Sequence, residues 1–387
     1  MSLENIYCNY CKGIIDQKNS VNEEIENQYH ISCHEAVVNY QEELHSSPVR
    51  KLRIFLVRNK ILTNKLVTDE DLLSLTQINL SHKSLSKLPK CLLLLKDLIT
   101  LDLSRNHLDT LPDFIGEFTK LRFLLVRHNN LTNLPNSMVT LTSLQLLDLS
   151  NNKFESIPGI LNSLTNLQVL YLNKNKISNF SSKLDSLSFL ERLELKNNCL
   201  IRIPTEIGEL RNLQILKLSY NNLDELPESI GNLQDLLELD LANNSLKSLP
   251  THIESLKKLH SLDISCNQIN NLPGSFEKLI NLKRLFLNGL KLTVLPNFVG
   301  KITSLQLLHL EDNCLTALPD SITNLNQLQV LFLCHNYLKK LPDCMGNMTS
   351  LQRIDLSYNQ LKELPESLRE LKQVYGYNLS LHYAFEK

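Results

Sequence analysis

The chain has 387 residues with 40 basic and 41 acidic side chains, so its formal net charge of -1 gives no overall attraction to nucleic acid or anionic lipid. This length is unusual for a single globular core, whereas a repetitive chain grows without that limit. No apolar run approaches a transmembrane helix, and the first residues lack the basic start and apolar stretch of a signal peptide. The nine cysteines do not show the pairing of disulfide-bonded caps, so we expect a cytoplasmic protein.

Three cysteines and a histidine near the N-terminus are spaced as metal ligands. Cys8 and Cys11 form a CxxC, and His30 and Cys33 form an HxxC eighteen residues later. Two short ligand pairs joined by such a loop can place three thiolates and one imidazole around a tetrahedral zinc. All four positions are then filled by protein, so the pattern predicts a structural zinc. The alternative is that these residues occur together by chance.

The same spacing resembles the first zinc module of a LIM domain. Ala36 stands where such a domain would supply its next cysteine, and a helix-like run follows, so a second module is not predicted. His34 is an alternative ligand, although the HxxC spacing favours His30. We assign residues 1–46 to a zinc-knuckle module and helix.

Residues 47–74 are predicted to form a basic connector and N-terminal cap. A basic, partly apolar strip can touch an acidic partner or a membrane surface. We favour a capping strand or helix whose apolar face covers the first repeat. Thr68, followed by three acidic residues, indicates the start of a short helix. The basic residues of the connector are Arg50, Lys51, Arg53, Arg58, Lys60 and Lys65.

From residue 75 onward the sequence repeats with a fixed period of 23 residues. The stretch Leu98 to Lys120, LITLDLSRNHLDTLPDFIGEFTK, shows the pattern LxxLxLxxNxLxxLPxxIxxLxx. We assign residues 75–373 to thirteen repeats and 374–387 to a truncated repeat and C-terminal cap, with Tyr377 and Leu379 at its strand positions. A period in the twenties indicates a solenoid in which each repeat packs on its neighbours. The repeats begin at Leu75, Leu98, Leu121, Leu144, Leu167, Leu190, Leu213, Leu236, Leu259, Leu282, Leu305, Leu328 and Leu351.

Most repeats contain a strand signal followed by an asparagine and a proline. Leu101 and Leu103, at positions four and six, alternate with polar residues, which is typical of a short strand with one buried face. The asparagine at position nine can donate to and accept from main-chain groups that cannot reach water. The proline at position fifteen fits an extended segment with no sheet partner. Eleven of the thirteen repeats carry the asparagine: Asn106, Asn129, Asn152, Asn175, Asn198, Asn221, Asn244, Asn267, Asn313, Asn336 and Asn359.

The pattern resembles the leucine-rich repeat in its 23-residue form, typical of intracellular Ras-group proteins such as the Ras–Raf scaffold and the Scribble-like polarity proteins. The resemblance covers about four fifths of the chain. It implies an α/β solenoid, a leucine-rich repeat horseshoe with a parallel concave sheet, preceded here by the small zinc module. It also implies small GTPases, their effectors or a phosphatase as partners, with signalling as the context.

Positions three, five, seven and eight of each repeat are predicted to point into the concave face, where the sequence is free to encode function. Phe286, His309 and Phe332 share position five in repeats ten to twelve, so they should form a column on adjacent strands. Apolar groups rimmed by charge usually mark a partner site, although single exposed aromatics are common on long sheets. The flanking residues are Arg284, Leu307, Val330, His335, Glu311 and Asp312. A second candidate patch consists of Phe123, Leu125, Arg127, His128 and Tyr171.

The tenth repeat departs from the pattern, because Gly289 and Leu290 replace the usual residue and asparagine. Losing that asparagine leaves backbone groups to be satisfied otherwise, at about 1–3 kcal/mol. The loop is therefore predicted to rearrange, or else Leu290 fills the core locally.

No sequence feature indicates catalysis. The chain has no Gly-rich phosphate loop, nucleophile elbow or HExxH, and holds ten glycines in all. We therefore predict a non-enzymatic scaffold that binds a protein partner on its concave face. Two alternatives stay open: a nucleic-acid-binding protein that uses the zinc knuckle and basic connector, and a regulatory subunit of an enzyme complex.

Overall fold

The computed structural model describes residues 47–62, 68–180, 184, 186–368 and 380–382, the last three by their backbone. The four predicted zinc ligands, Cys8, Cys11, His30 and Cys33, lie outside these residues. In the described ranges, no helix has the length and apolar composition needed to cross a bilayer.

Two helices precede the repeats, within the predicted connector and cap. Helix α1 spans Pro48–Arg58 and begins with a proline, whose fixed φ and missing donor suit the first helical turn. Leu52 and Leu56, four residues apart, lie on one face of α1 and are fully buried. This helix packs against the 3₁₀ helix Lys90–Leu94 of the first repeat. Both helices belong to one compact unit, and the strands belong to a second.

Helix α2 spans Asp69–Leu73 and confirms the predicted start at Thr68. The Thr68 hydroxyl accepts from the Asp71 amide at 3.1 Å, and the Asp71 carboxylate accepts from the Thr68 amide at 3.2 Å. This reciprocal pair satisfies two backbone donors at the helix start. Arg53, one of the connector's basic residues, forms an ion pair with Asp69.

Within the described residues, fourteen three-residue strands form one parallel sheet in strict sequence order. The middle residue of each of the first thirteen strands, position four of the repeat, is buried. The strands are β1 (Gln77–Asn79), β2 (Thr100–Asp102), β3 (Phe123–Leu125), β4 (Leu146–Asp148), β5 (Val169–Tyr171), β6 (Arg192–Glu194), β7 (Ile215–Lys217), β8 (Glu238–Asp240), β9 (Ser261–Asp263), β10 (Arg284–Phe286), β11 (Leu307–His309), β12 (Val330–Phe332), β13 (Arg353–Asp355) and β14 (Ser380–His382).

A short 3₁₀ helix follows the proline in most repeats. The proline itself is extended as predicted, for example with φ -71° and ψ 154° at Pro112, but the chain then turns where a longer extended segment was expected. An apolar residue of each turn is buried, which closes the core on the side opposite the sheet. The 3₁₀ helices are Lys90–Leu94, Asp113–Glu117, Asn136–Thr140, Gly159–Ser163, Thr205–Glu209, Glu228–Asn232, Thr251–Ser255, Gly274–Lys278, Asn297–Lys301, Asp320–Asn324 and Asp343–Asn347.

Strands β1 to β13 pair with a constant offset of 23 residues, so equivalent positions stand in register. Leu285, for instance, pairs with Leu308. The terminal strand is the exception: Ile354 pairs with Leu381 in β14, whereas the period predicted Tyr377. That prediction is wrong by four residues.

The asparagines at position nine form the ladder that the sequence predicted. The side chain of Asn221 donates to the carbonyls of Leu195 and Leu218 at 3.0 and 2.8 Å and accepts from the Leu200 amide at 3.0 Å. Ten of the eleven ladder asparagines are buried, and Asn175 is half-buried. These side chains therefore supply hydrogen bonds to main-chain groups that water cannot reach.

The two repeats without the asparagine share a local rearrangement. Every repeat has a left-handed residue at position eight, Gly289 in the tenth, with φ 67°. Ser84 and Lys291, which follow Lys83 and Leu290 at the asparagine position, are left-handed as well. Both expectations for the tenth repeat are thus met, because Leu290 is also fully buried.

Candidate functional site

One face of the sheet carries positions three and five of each repeat, and we call it the open face. Phe286, His309 and Phe332 lie on it in β10, β11 and β12, directly in register. Their ring centroids are 4.8 and 4.6 Å apart, with interplanar angles of 32° and 52°. All three side chains are partly buried. The structure thus brings them together as a continuous row of rings, which we call the aromatic column.

Carboxylates stand in register with both ends of the aromatic column. Asp263 in β9 pairs with Phe286, and Asp355 in β13 pairs with Phe332. The guanidinium of Arg353 lies over the Phe332 ring, with its carbon 4.8 Å from the centroid. A cation at this distance from an aromatic face is attracted by the ring quadrupole.

The central His309 is oriented by an acid on its own coil. Its Nδ1 lies 2.8 Å from Oε1 of Glu311, and both side chains are about four fifths buried, with 21% and 18% of their side-chain surface exposed. The other carboxylate oxygen of Glu311, Oε2, is buried without a hydrogen-bond partner among the described residues. Glu311 therefore fixes the imidazole and retains an unused acceptor.

The remaining predicted rim residues surround the aromatic column. Arg284, Leu307 and Val330 stand side by side at position three, with Arg284 exposed and the two aliphatic residues half-buried. His335 lies exposed in the turn after β12 and stacks on Tyr358, with centroids 4.2 Å apart and an angle of 13°. Asp312 is exposed in the preceding turn. The structure therefore places the whole predicted set on neighbouring coils.

Acidic side chains lie in and beside the turns next to the aromatic column. Burial raises the pKa of the Cys334 thiol to about 11, and the charges of Asp355, Glu311 and Asp312 add to the rise. Burial likewise raises the pKa of Cys266, with Asp263 and Asp312 contributing. Neither thiol is thus activated as a nucleophile.

The second predicted patch has the opposite charge. Burial lowers the pKa of His128, and the positive charges of Arg105, Arg127 and Lys174 lower it further. Phe123 is exposed. Tyr171 and Leu125 share position five but do not touch in register, because Asp148 stands between them.

Between the two patches the open face is filled by internal ion pairs. Arg192 pairs with Glu194 at 2.8 Å, and Lys217 pairs with Glu238 at 3.1 Å. These pairs neutralise charges that repeats six to eight place on the open face. The middle of the face consequently offers a partner fewer free charges than either end.

Arg353 and Asp355 were missed by the sequence analysis, which ended the first patch at repeat twelve. They occupy positions three and five of repeat thirteen, so extending the same columns by one repeat would have found them. Over the residues that the structure describes, no cluster of histidine, cysteine or acidic side chains could hold a metal ion.

The leucine-rich repeat region model matches residues 47–181, 113–201, 237–316 and 276–381, and the Leucine Rich Repeat model matches 212–233. No curated protein sequence matches the chain significantly.

Solved structures share the fold. A leucine-rich repeat protein of Leptospira interrogans is 32% identical, with a TM-score of 0.72, covering 84% of this chain and 87% of that chain. An internalin of Listeria monocytogenes has a TM-score of 0.74 at 23% identity, covering 88% and 98%. Toll of Drosophila, solved in complex with Spätzle, has a TM-score of 0.67 at 21% identity, covering 76% and 42%. From its repeats and these matches, the chain belongs to the leucine-rich repeat proteins.

Proposed function

We propose that the chain is a non-enzymatic scaffold whose open face binds a protein partner, with the aromatic column as the anchor. Leucine-rich repeat proteins are typically binding scaffolds, and the fold serves protein–protein interaction in general. The observation that carries the proposal is the contiguous row Phe286, His309 and Phe332, whose partly buried rings stand on the open face of the sheet. Aromatic side chains that a partner fully covers dominate binding energies.

The proposed setting is cytoplasmic signalling, with a small GTPase, an effector or a phosphatase as the partner. This part rests on the resemblance of the 23-residue repeat to the Ras-group proteins. Fold similarity supports the binding role but does not select the partner.

The test is affinity capture with the full chain from host extract, comparing wild type with the double variant Phe286→Ala, Phe332→Ala. We expect the partner's affinity to fall by at least about 2 kcal/mol, or roughly 30-fold. The matched control is Phe123→Ala, which removes an exposed phenylalanine of the second patch. An unchanged captured set with the double variant, or its loss with the control alone, would place the binding surface elsewhere.

We also propose that Cys8, Cys11, His30 and Cys33 hold one structural zinc, on the strength of their spacing. Metal analysis of the purified chain should give about one zinc per molecule, lost in Cys8→Ser, Cys11→Ser. A wild-type chain purified without metal chelators and free of zinc would contradict this.

A further inference from the structure

The two ends of the aromatic column differ in where an arginine stands: Arg353 lies on the strand beyond Phe332, whereas Arg284 lies on the same strand as Phe286, two residues before it. At the Phe332 end, the neighbouring strand β13 supplies Arg353 at position three and Asp355 at position five. This end therefore holds a ring, a carboxylate in register with it and a guanidinium 4.8 Å from the ring centroid.

At the Phe286 end, the neighbouring strand β9 supplies Asp263 at position five but Ser261 at position three. The ring and the carboxylate in register are therefore repeated, on strands that lie about 4.8 Å apart. Where Arg353 stands at the other end, this end has a serine. The same arrangement is thus present without its cation.

Asp263 and its neighbour Asp240 share the charge of one lysine, Lys196, which forms its ion pair with Asp240. Asp240, in register with Asp263 on β8, pairs with Lys196 and accepts from the Ser219 hydroxyl at 2.9 Å. Asp263 accepts from the amide and hydroxyl of Ser265, and forms no ion pair within the described residues. Burial raises its pKa and Asp240 adds to the rise, while the hydrogen bonds from Ser265 and the charge of Lys196 oppose it.

We propose that the Phe286 ring and the Asp263 carboxylate together bind the guanidinium or ammonium group of an arginine or lysine from the protein partner. An apolar side chain close to that residue in the partner then rests on the aromatic column. This inference deepens the proposed function and rests on it. The partner segment is accordingly one in which a basic residue and an apolar residue are near neighbours.

Charge complementarity favours this occupant over an apolar or acidic one. Glu311 and Asp312 lie in the segment that follows β11. Burial raises the pKa of the Cys334 thiol, and the negative charges of these two side chains add to that rise. An acidic segment would meet these groups at close range, and like charges brought together cost binding energy. A wholly apolar segment would leave the partly buried Asp263 without an ion pair.

The test uses two short capped peptides, each with one tryptophan beside either arginine or citrulline, its neutral analogue. The chain contains no tryptophan, so the fluorescence of the peptide reports binding without background. We expect the arginine peptide to bind wild type about fivefold more tightly than the citrulline peptide.

Two variants locate that preference. Asp263→Asn keeps the acceptor for Ser265 but removes the charge, so the two peptides should bind it equally. Ser261→Arg places a guanidinium where Arg353 stands at the other end, so it should also abolish the preference. Glu225→Gln, an exposed acid remote from the open face in a turn segment, is the control and should leave the preference unchanged.

The outcomes separate this inference from the proposed function. Equal binding of both peptides to wild type, with both weakened by Phe286→Ala, Phe332→Ala, would overturn the cation site and leave the column as the anchor. Binding that the double phenylalanine variant does not weaken would overturn the column. A preference for arginine that survives in Asp263→Asn would also overturn the cation site, and failure of both peptides to bind at millimolar concentration would contradict both proposals.

Discussion

The asparagine ladder and the aromatic column repeat with the same spacing but answer to different constraints. Each ladder side chain makes the same three hydrogen bonds to main-chain groups, as Asn221 does with two carbonyls and one amide. The column position instead changes from repeat to repeat, through aspartate, leucine, tyrosine, lysine, phenylalanine and histidine. Few side chains can replace one that satisfies buried backbone groups, whereas many can occupy a position that faces solvent. The ladder is therefore expected to carry stability and the column to carry binding.

The largest effect on stability should come from breaking the ladder in mid-chain. Asn221→Ala leaves the Leu200 amide and two carbonyls short of partners, which should lower the free energy of unfolding by roughly 1–3 kcal/mol. Asn222→Ala, in the same turn but exposed, should be nearly neutral. Chemical denaturation measures the free energy of unfolding of both variants. Equal losses would contradict the stabilising role of the buried ladder asparagine.

A smaller effect should come from the turn that lacks its asparagine. Lys291 has a left-handed backbone with φ 59°. This conformation is strained for a residue with a side chain but not for glycine. Lys291→Gly should therefore raise the free energy of unfolding by up to about 1 kcal/mol. Gln268→Gly, at the same position of the preceding repeat without a left-handed φ, should lower it instead. A loss of stability in both variants would contradict this account of the tenth repeat.

The smallest effect on stability should come from Asp263, which stands in register with one end of the aromatic column. Burial, aided by Asp240 and opposed by Ser265 and Lys196, raises the pKa of Asp263 in the folded chain above the ordinary value of 3.8. The unfolded chain then loses this proton first as pH rises, so Asp263 costs stability between 3.8 and its raised pKa and at all higher pH.

Asp263→Asn should accordingly become more stable relative to wild type as pH increases from 3.8 towards neutrality. Urea denaturation at several pH values measures the difference. A difference that stays constant, or that falls with rising pH, would show that the charge of Asp263 is compensated in the folded chain.

Much of this architecture could be predicted from residue spacing. The 23-residue period determines the register of β1 to β13, so it also places Phe286, His309 and Phe332 side by side. The asparagine ladder follows from the need of buried amides for partners. The start of α2 at Thr68 follows from local capping chemistry.

Other features depend on contacts that spacing does not contain. The position of Arg353 over Phe332 depends on the rotamer of a long side chain, and a sequence does not specify that rotamer. The register of β14, in which Ile354 pairs with Leu381, departs from the 23-residue period, and no residue spacing indicates that departure. The left-handed residues Ser84 and Lys291 result from backbone groups finding a new arrangement after the asparagine is lost.

The separation of stability from binding is tested most directly by measuring both quantities on two variants, Asn221→Ala and Phe286→Ala, Phe332→Ala. Each is assayed by chemical denaturation and by affinity for the tryptophan–arginine peptide, under conditions where it is folded. We predict that the asparagine variant loses roughly 1–3 kcal/mol of stability and keeps its affinity. The phenylalanine variant should lose less stability and bind about 30-fold more weakly. A phenylalanine variant that unfolds more easily than the asparagine variant, or that binds the peptide as wild type does, would contradict the account.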